Sequence, residues 1–262
     1  MRRLGAVQQK MPCVFLTEVR EEPSRKRECQ QFQVVATESV NPRALQSNIH
    51  CALATEKLDG TCCYVSLYKG EPYLWARLDR KPSKQADRRF KQSRKNREEF
   101  TWNVEEDFRN VPESWIPAHG VQHCNGQPIP DENGHIPGWV PVERNRLGSK
   151  KQPIHLLVSH GSLHIRNAPA VSYQQLAAWF QDCEEGRVEG IVWHCNDGTL
   201  VKLHRHHLGL KWPDGDTFLN RRPVVIRVPW ESYALDTGGH DLFAAFSNLN
   251  GRRFDRVQDV RF

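Results

Sequence analysis

The chain has 262 residues, of which 38% are hydrophobic and 26% are charged, and its formal net charge is +6. This composition is typical of a globular protein, and no segment approaches the roughly eighteen consecutive apolar residues of a membrane span. We therefore expect no membrane association. The N-terminus is basic, but polar residues and Glu18 follow it closely, so it does not resemble a signal peptide.

The eight cysteines form no Cys-x-x-Cys pair, and their spacing fits neither a zinc site nor a disulfide framework. Reduced thiols are typical of the cytosol and the nucleus. We expect a cytoplasmic protein, with nuclear entry left open.

Short apolar and β-branched runs separated by turn signals predict strands in the first third of the chain. The predicted strands cover residues 11–19, 32–37, 50–57, 62–68 and 73–78. The sequence Lys69-Gly70-Glu71-Pro72 predicts a hairpin between the last two. Residues 84–99 have a polar, helical composition.

The middle of the chain is rich in Pro, Gly, Asn and His. We expect residues 112–141 to be irregular, with Trp115 and Trp139 as packing anchors. A strand is predicted over 152–159. Ser172 is a predicted N-cap for a helix from Tyr173 to about Cys183, which would bury Leu176, Trp179 and Phe180.

Two predicted strands, 187–195 and 199–205, flank the turn signal Asn196-Asp197-Gly198. Side chains alternate between the two faces of a strand, so a two-residue turn would put Glu189 on the same sheet face as Lys202 and His204. A three-residue turn would shift the pairing by one residue and remove this agreement. These elements predict an α+β fold with a mainly antiparallel sheet and flanking helices.

Basic residues are concentrated in one block. From Arg77 to Arg97 there are ten basic residues and two acidic ones. Such a block suits a polyanion such as RNA, and a solvated helix face is the alternative. The candidate RNA-binding residues are Arg77, Lys84, Arg88, Arg89, Lys91 and Arg94.

The run Glu56-Lys57-Leu58-Asp59-Gly60-Thr61 places a lysine between an apolar strand and a turn. A lysine that is partly buried beside other cations can act as a nucleophile, because its pKa falls. An ordinary boundary between a strand and a turn is the alternative, since Gly60 alone would explain a tight turn.

In chain order, Lys57-x-Asp59-Gly60, Arg77, Glu189-Gly190-Ile191-Val192 and Lys202 resemble the motifs of the covalent nucleotidyltransferases. That superfamily includes RNA ligases, DNA ligases and mRNA-capping enzymes. The stretches 54–57, 134–139 and 201–209 are further similar to the animal ATP-dependent 5′-to-3′ RNA ligase family. The likeness runs along nearly the whole chain and implies a nucleotidyltransferase (adenylation) domain.

The resemblance also implies functional roles. Lys57 would attack ATP and carry AMP, which passes to an RNA 5′-phosphate before the RNA 3′-hydroxyl seals the strand, as in RNA repair. Glu189 would hold Mg²⁺, and Lys202 would hold the α-phosphate. Arg77 would contact ribose or RNA phosphate. ATP and Mg²⁺ are thus the implied cofactors, RNA is the partner, and a monomer is expected.

The remaining motif residues have less definite roles. Glu56 would face the adenine or be an exposed strand charge, and Asp59 with Gly60 would shape the turn at the nucleotide. His204 stands where related ligases often carry a second lysine. His204, His206 and His207 lack matching Cys or Asp partners, so contacts with phosphate are expected rather than zinc binding.

The chain departs from the family at one point. The family separates segment 138–143 from segment 147–151 by several dozen residues, whereas this chain joins them almost directly. The resemblance thus implies one domain over residues 1–262 with an internal deletion near 145–147. The deleted part would include sheet strands and another acidic motif, and its loss would expose sheet edges.

The sequence is compatible with three functional classes. The first is an RNA ligase. The second is a pseudoenzyme that binds nucleotide or RNA, or an inactive splice form. The third is a capping-type guanylyltransferase or DNA ligase, which generally carries an OB-fold; residues 203–262 are too few for a complete one.

Overall fold

The computed structural model describes residues 10–23, 31–57, 60–68, 71–142, 164–165, 167–211, 224–225, 248–249 and 251–254. Within these residues the fold is α+β, with several small antiparallel sheets. The predicted strand 152–159 and the proposed deletion point lie outside them. None of the helices in this part of the chain is long and apolar enough to cross a membrane.

The strands are β1 (Phe15–Arg20), β2 (Gln33–Val40), β3 (Leu53–Lys57), β4 (Cys63–Tyr68), β5 (Glu71–Arg77), β6 (Ile116–Pro117), β7 (His123–Cys124), β8 (Gln127–Pro128), β9 (Gly138–Pro141), β10 (Gly190–His194), β11 (Leu200–His204), β12 (Val224–Val225) and β13 (Arg253–Phe254). The α-helices are α1 (Pro42–Gln46), α2 (Lys84–Asn96), α3 (Val104–Asp107) and α4 (Tyr173–Asp182). Short 3₁₀ helices cover Ile49–Cys51 and Arg205–Leu208.

The three-stranded sheet has the order β11-β10-β3 and is antiparallel throughout. The β10–β11 hairpin closes with three turn residues, because Cys195 N–H donates to the Thr199 carbonyl at 2.9 Å. Lys202 therefore pairs with Val192. The two-residue turn considered from the sequence is wrong, so strand pairing alone does not place Glu189 on the face of Lys202.

One face of this sheet covers the main hydrophobic core, which includes Ile191 and Leu203. Helix α4 closes the core with Leu176, Trp179 and Phe180, as predicted. Ser172 occupies the N-cap position, but its side chain makes no capping hydrogen bond. The opposite face of the sheet is left for polar side chains.

Both edges of the three-stranded sheet meet neighbouring segments. The residues just before β1 run parallel to β11: Lys202 N–H donates to the Pro12 carbonyl at 2.9 Å, and Val14 N–H donates to the Lys202 carbonyl at 2.8 Å. On the other edge, Ile165 N–H donates to the Ala54 carbonyl at 3.0 Å. The N-terminal segment is thereby fixed beside Lys202.

A second sheet has the order β4-β5-β9-β6. The predicted hairpin joins β4 to β5, with Tyr68 paired to Glu71. The prediction that 112–141 is irregular is wrong for β9, which pairs with β5 and buries Trp139 at 1% exposure. Strand β9 is only four residues long and ends at Pro141, so its pattern is too short to identify.

Two predicted boundaries also shift. Ile49–Cys51 form a 3₁₀ turn after left-handed Asn48, so β3 begins later than expected. Helix α2 ends at Asn96 because Arg97 adopts a left-handed conformation and donates to the Arg94 and Ser93 carbonyls.

Candidate active site

The site begins with a row of three residues across the three-stranded sheet. Gly190 on β10 pairs with Lys57 on one side and with His204 on the other. Paired residues share a face, so Lys57 and His204 lie on the side away from the apolar core. A side chain at position 190 would overlap the Leu203 carbonyl oxygen. The glycine therefore allows the close approach of β10 and β11 at this row.

Glu189 contacts both Lys57 and His204. Its Oε1 lies 2.6 Å from Lys57 Nζ and 2.5 Å from His204 Nε2. The side chains of Glu189 and His204 are 5% and 4% exposed, while Lys57 is 20% exposed. Glu189 precedes β10, where its carbonyl accepts from Arg205 N–H at 3.0 Å. The side chains of Lys57 and Glu189 are thus in contact, with Glu189 reaching Lys57 from outside the strand.

The electrostatics of this cluster favour an ion pair. Burial alone would raise the pKa of Glu189, but the hydrogen bond from His204 and the charge of Lys57 outweigh burial and lower it. The Glu189 carboxylate is therefore ionised at neutral pH and holds the Lys57 ammonium. Among the described residues, the buried Oε2 of Glu189 has no hydrogen-bond partner.

Lys202 lies in the next row of the same face, with Thr55 and Val192. Burial, followed by the charges of Lys10 and Lys57, lowers the pKa of Lys202 from 10.5 to about 8. The sheet therefore presents an amine, a carboxylate and a second cation on one face. This combination can accept an anionic substrate.

Lys10 is a residue that the sequence did not single out. Its Nζ lies 3.7 Å from Asp79 Oδ2 and 3.9 Å from Asp131 Oδ2, and it contacts His135. It thus joins the N-terminal segment to the loop before β9. A lone lysine near a chain end carries no local sequence signal, so only the fold reveals it.

Arg77 ends β5 in the second sheet. Its Nε lies 2.6 Å from Asp79 Oδ1, and its guanidinium lies 5.4 Å from the Trp139 ring centroid. Burial would raise the pKa of Asp79, but Arg77 and Lys10 hold it below its usual value. Arg77 is therefore engaged by a carboxylate and an aromatic ring in this state.

The other motif residues around Lys57 are more peripheral. Glu56 pairs with Ile191, so it faces the opposite side of β3 from Lys57; burial raises its pKa. Asp59 lies outside the described residues. Gly60 is exposed, and a Cβ there would meet nothing within 4 Å. The structure thus brings together only part of the predicted nucleotide set.

The basic helix α2 presents its candidate residues unevenly. Arg89 pairs with Asp107, and Lys91 Nζ lies 2.7 Å from Asp87 Oδ2. Arg94 lies over the Phe90 ring. Lys84 and Arg88, both exposed, have no carboxylate partner within the described parts of the chain. These two are the best-placed cations for a polyanion.

The geometry defines an enzyme-like site with a nucleophile candidate, a carboxylate and a cation. A family model described as RNA ligase 1 matches residues 1–147 and 145–262. The chain is 54% identical to RNA ligase 1 of Danio rerio, over 100% of this chain and 99% of that protein. It is 47% identical to RNA ligase 1 of Rattus norvegicus, over 99% of each chain. The chain belongs to the RNA ligase 1 family.

The match to the Danio rerio protein extends over 323 aligned positions. These exceed the 262 residues of this chain by 61 (323 − 262), so about 61 positions of that relative have no counterpart here. The family match itself divides at residues 145–147.

Proposed function

We propose that this protein is an ATP-dependent RNA ligase that joins RNA 5′-phosphate and 3′-hydroxyl ends through AMP carried on Lys57. The observation that carries the proposal is the 2.6 Å contact between Lys57 Nζ and Glu189 Oε1, with Lys202 on the same sheet face. It occurs in a chain that belongs to the RNA ligase 1 family.

The first step is nucleophilic attack by Lys57. Its ammonium first loses a proton, because only the neutral amine carries a lone pair. A nitrogen–phosphorus bond then forms at the α-phosphorus of ATP, and the bond to the bridging oxygen breaks, releasing pyrophosphate. In the resting site the contact with Glu189 Oε1 orients the Lys57 side chain.

The second and third steps use the same sheet face. The RNA 5′-phosphate displaces the lysine and takes the AMP, and the RNA 3′-hydroxyl then attacks that phosphate and releases AMP. Lys202 stabilises the transferring phosphate as a point charge. Burial and the neighbouring charges of Lys10 and Lys57 lower its pKa, and an anionic substrate would stabilise its ammonium form.

Glu189 fits a Mg²⁺ ligand. Its Oε2 is buried without a hydrogen-bond partner among the described residues, while Oε1 is occupied by Lys57 and His204. Mg²⁺ is commonly held by one or two carboxylates together with water and substrate phosphates. When bound, it would neutralise phosphate charge during the transfer. Glu189 would then hold the metal through Oε2 and Lys57 through Oε1.

We further propose one nucleotidyltransferase domain over residues 1–262 with a shortened interior near 145–147. The 61 unmatched positions and the division of the family match at that point support this proposal. The same observation supports a second candidate function, in which the chain binds nucleotide or RNA without completing ligation.

One experiment separates these functions. The protein is incubated with Mg²⁺ and either α-labelled ATP or GTP, and then resolved on a denaturing gel. Label from ATP that is absent in Lys57→Ala supports the ligase. Label from GTP alone indicates a capping-type enzyme. No label, with RNA binding retained, supports the non-ligating form.

Transfer of the label to RNA tests the complete activity. Labelled protein is mixed with 5′-phosphorylated RNA, and the expected products are AMP-capped RNA and then sealed RNA. Labelled protein that never transfers its AMP would overturn the ligase proposal and leave only the first step.

A further inference from the structure

We infer that His204 is a positioning residue that holds the Glu189 carboxylate for its partners, an inference that rests on the proposed function. The contact is direct, since His204 Nε2 lies 2.5 Å from Glu189 Oε1. Both side chains are buried, at 4% and 5% exposure. A buried carboxylate is stabilised by such donors, and losing one leaves it under-bonded.

The direction of this hydrogen bond follows from the other ring nitrogen. His204 Nδ1 accepts from His206 N–H at 3.1 Å. An imidazole nitrogen that accepts a backbone N–H carries no proton, so Nε2 carries it and donates to Glu189. His204 is thereby fixed as the tautomer that donates to the carboxylate.

The tautomer is held by the 3₁₀ helix Arg205–Leu208. His204 is its N-cap, and His207 completes the cap by accepting the His204 N–H through Nδ1 at 3.3 Å. The C-terminal end is closed by Gly209 in a left-handed conformation. This 3₁₀ helix thus fixes the His204 ring where it contacts Glu189.

The two oxygens of the Glu189 carboxylate have different partners. Oε1 receives both Lys57 and His204, which leaves Oε2 with no partner within the described residues. The bond from His204 Nε2 therefore orients Glu189 through Oε1, and Oε2 keeps its capacity for a cation.

Two substitutions separate positioning from capping. His204→Gln can place an amide N–H where Nε2 lies, so it retains the bond to Glu189. His204→Asn can place an amide oxygen where Nδ1 lies, so it retains the cap but loses the bond to Glu189. We expect His204→Gln to keep AMP labelling within about threefold of the unsubstituted protein. We expect His204→Asn to lose roughly ten- to a hundredfold, as for other groups that orient a ligand.

A measurement without ATP tests the same contact. The urea midpoints of His204→Asn, Glu189→Gln and the double variant form a double-mutant cycle. Direct coupling predicts that the double variant loses clearly less stability than the sum of the single variants. Additive losses would overturn the inference, as would equal labelling by His204→Gln and His204→Asn.

The outcomes also distinguish this inference from the proposed function. If the unsubstituted protein takes no label from ATP, the ligase proposal fails, and the stability cycle still decides whether His204 positions Glu189. If labelling occurs and His204→Asn labels as well as His204→Gln, the ligase proposal stands and the role of His204 is refuted.

Discussion

The charge of Lys202 has opposite expected effects on folding and on activity. Its pKa is lowered from 10.5 to about 8, by burial first and then by Lys10 and Lys57. Since one pKa unit corresponds to about 1.4 kcal/mol, holding this ammonium costs the native state roughly 3 kcal/mol near neutral pH. Lys202→Met keeps the aliphatic stem and removes the charge. We expect the free energy of unfolding to rise by about 2–3 kcal/mol while AMP labelling is lost.

The free energy of unfolding depends on pH through the protonation of Lys202. Between about pH 8 and pH 10.5 the unfolded chain binds a proton at Lys202 that the native chain does not, so native stability rises across this interval. Below about pH 8 the cost is present in full. Lys202→Met lacks this rise, and its advantage is therefore largest near neutral pH and shrinks above pH 8.

Urea denaturation of both proteins at about pH 7 and about pH 9.5 measures the effect. Lys84→Met is the matched control, because Lys84 is exposed, and its stability change should stay within about 0.5 kcal/mol. A Lys202→Met protein that is less stable than its parent near pH 7, or that still takes the AMP label, would refute the reasoning.

Three further changes test other parts of the site. Gly190→Ala should destabilise the protein by roughly 1–3 kcal/mol in urea denaturation, because its Cβ would overlap the Leu203 carbonyl oxygen. Glu189→Ala should abolish AMP labelling, because both the Lys57 contact and the free carboxylate oxygen are removed. The pair Lys84→Glu and Arg88→Glu should weaken RNA binding and flatten its salt dependence in a filter-binding titration, because phosphate contacts set that slope.

Each change has a control. Gly60→Ala should leave stability nearly unchanged, since a Cβ there meets nothing within 4 Å. The pair Arg43→Glu and Arg187→Glu alters net charge equally at exposed positions away from α2. If that control lowers the salt slope as much as the α2 pair, RNA binding follows net charge and not this helix. Wild-type labelling by Glu189→Ala would contradict the assigned role of Glu189.

Local patterns predicted the longer regular elements. Short apolar and β-branched runs between turn signals located β2 and β5, and the spacing of Leu176, Trp179 and Phe180 located α4. These signals lie within single elements, so tertiary contacts were not needed to read them. The family motifs likewise identified Lys57 and Glu189, which the structure joins directly.

Relations between distant elements could not be predicted in the same way. The sequence did not decide between a two- and a three-residue turn after β10, and one residue of difference moves every pair in the hairpin. The role of His204 depends on the cap formed by the following 3₁₀ helix. Lys10 comes near Lys202 only because residues 12–14 run along β11. The register of the hairpin and the position of Lys10 are set by pairing between strands, which no local pattern records.

Lys57 is the residue proposed to carry AMP. Protein incubated with ATP and Mg²⁺ is analysed by intact mass spectrometry and then by peptide fragmentation. We predict a single AMP adduct, located on the Lys57 side chain and absent from protein incubated with GTP. An adduct on another residue, or a folded protein that acquires none, would contradict the account.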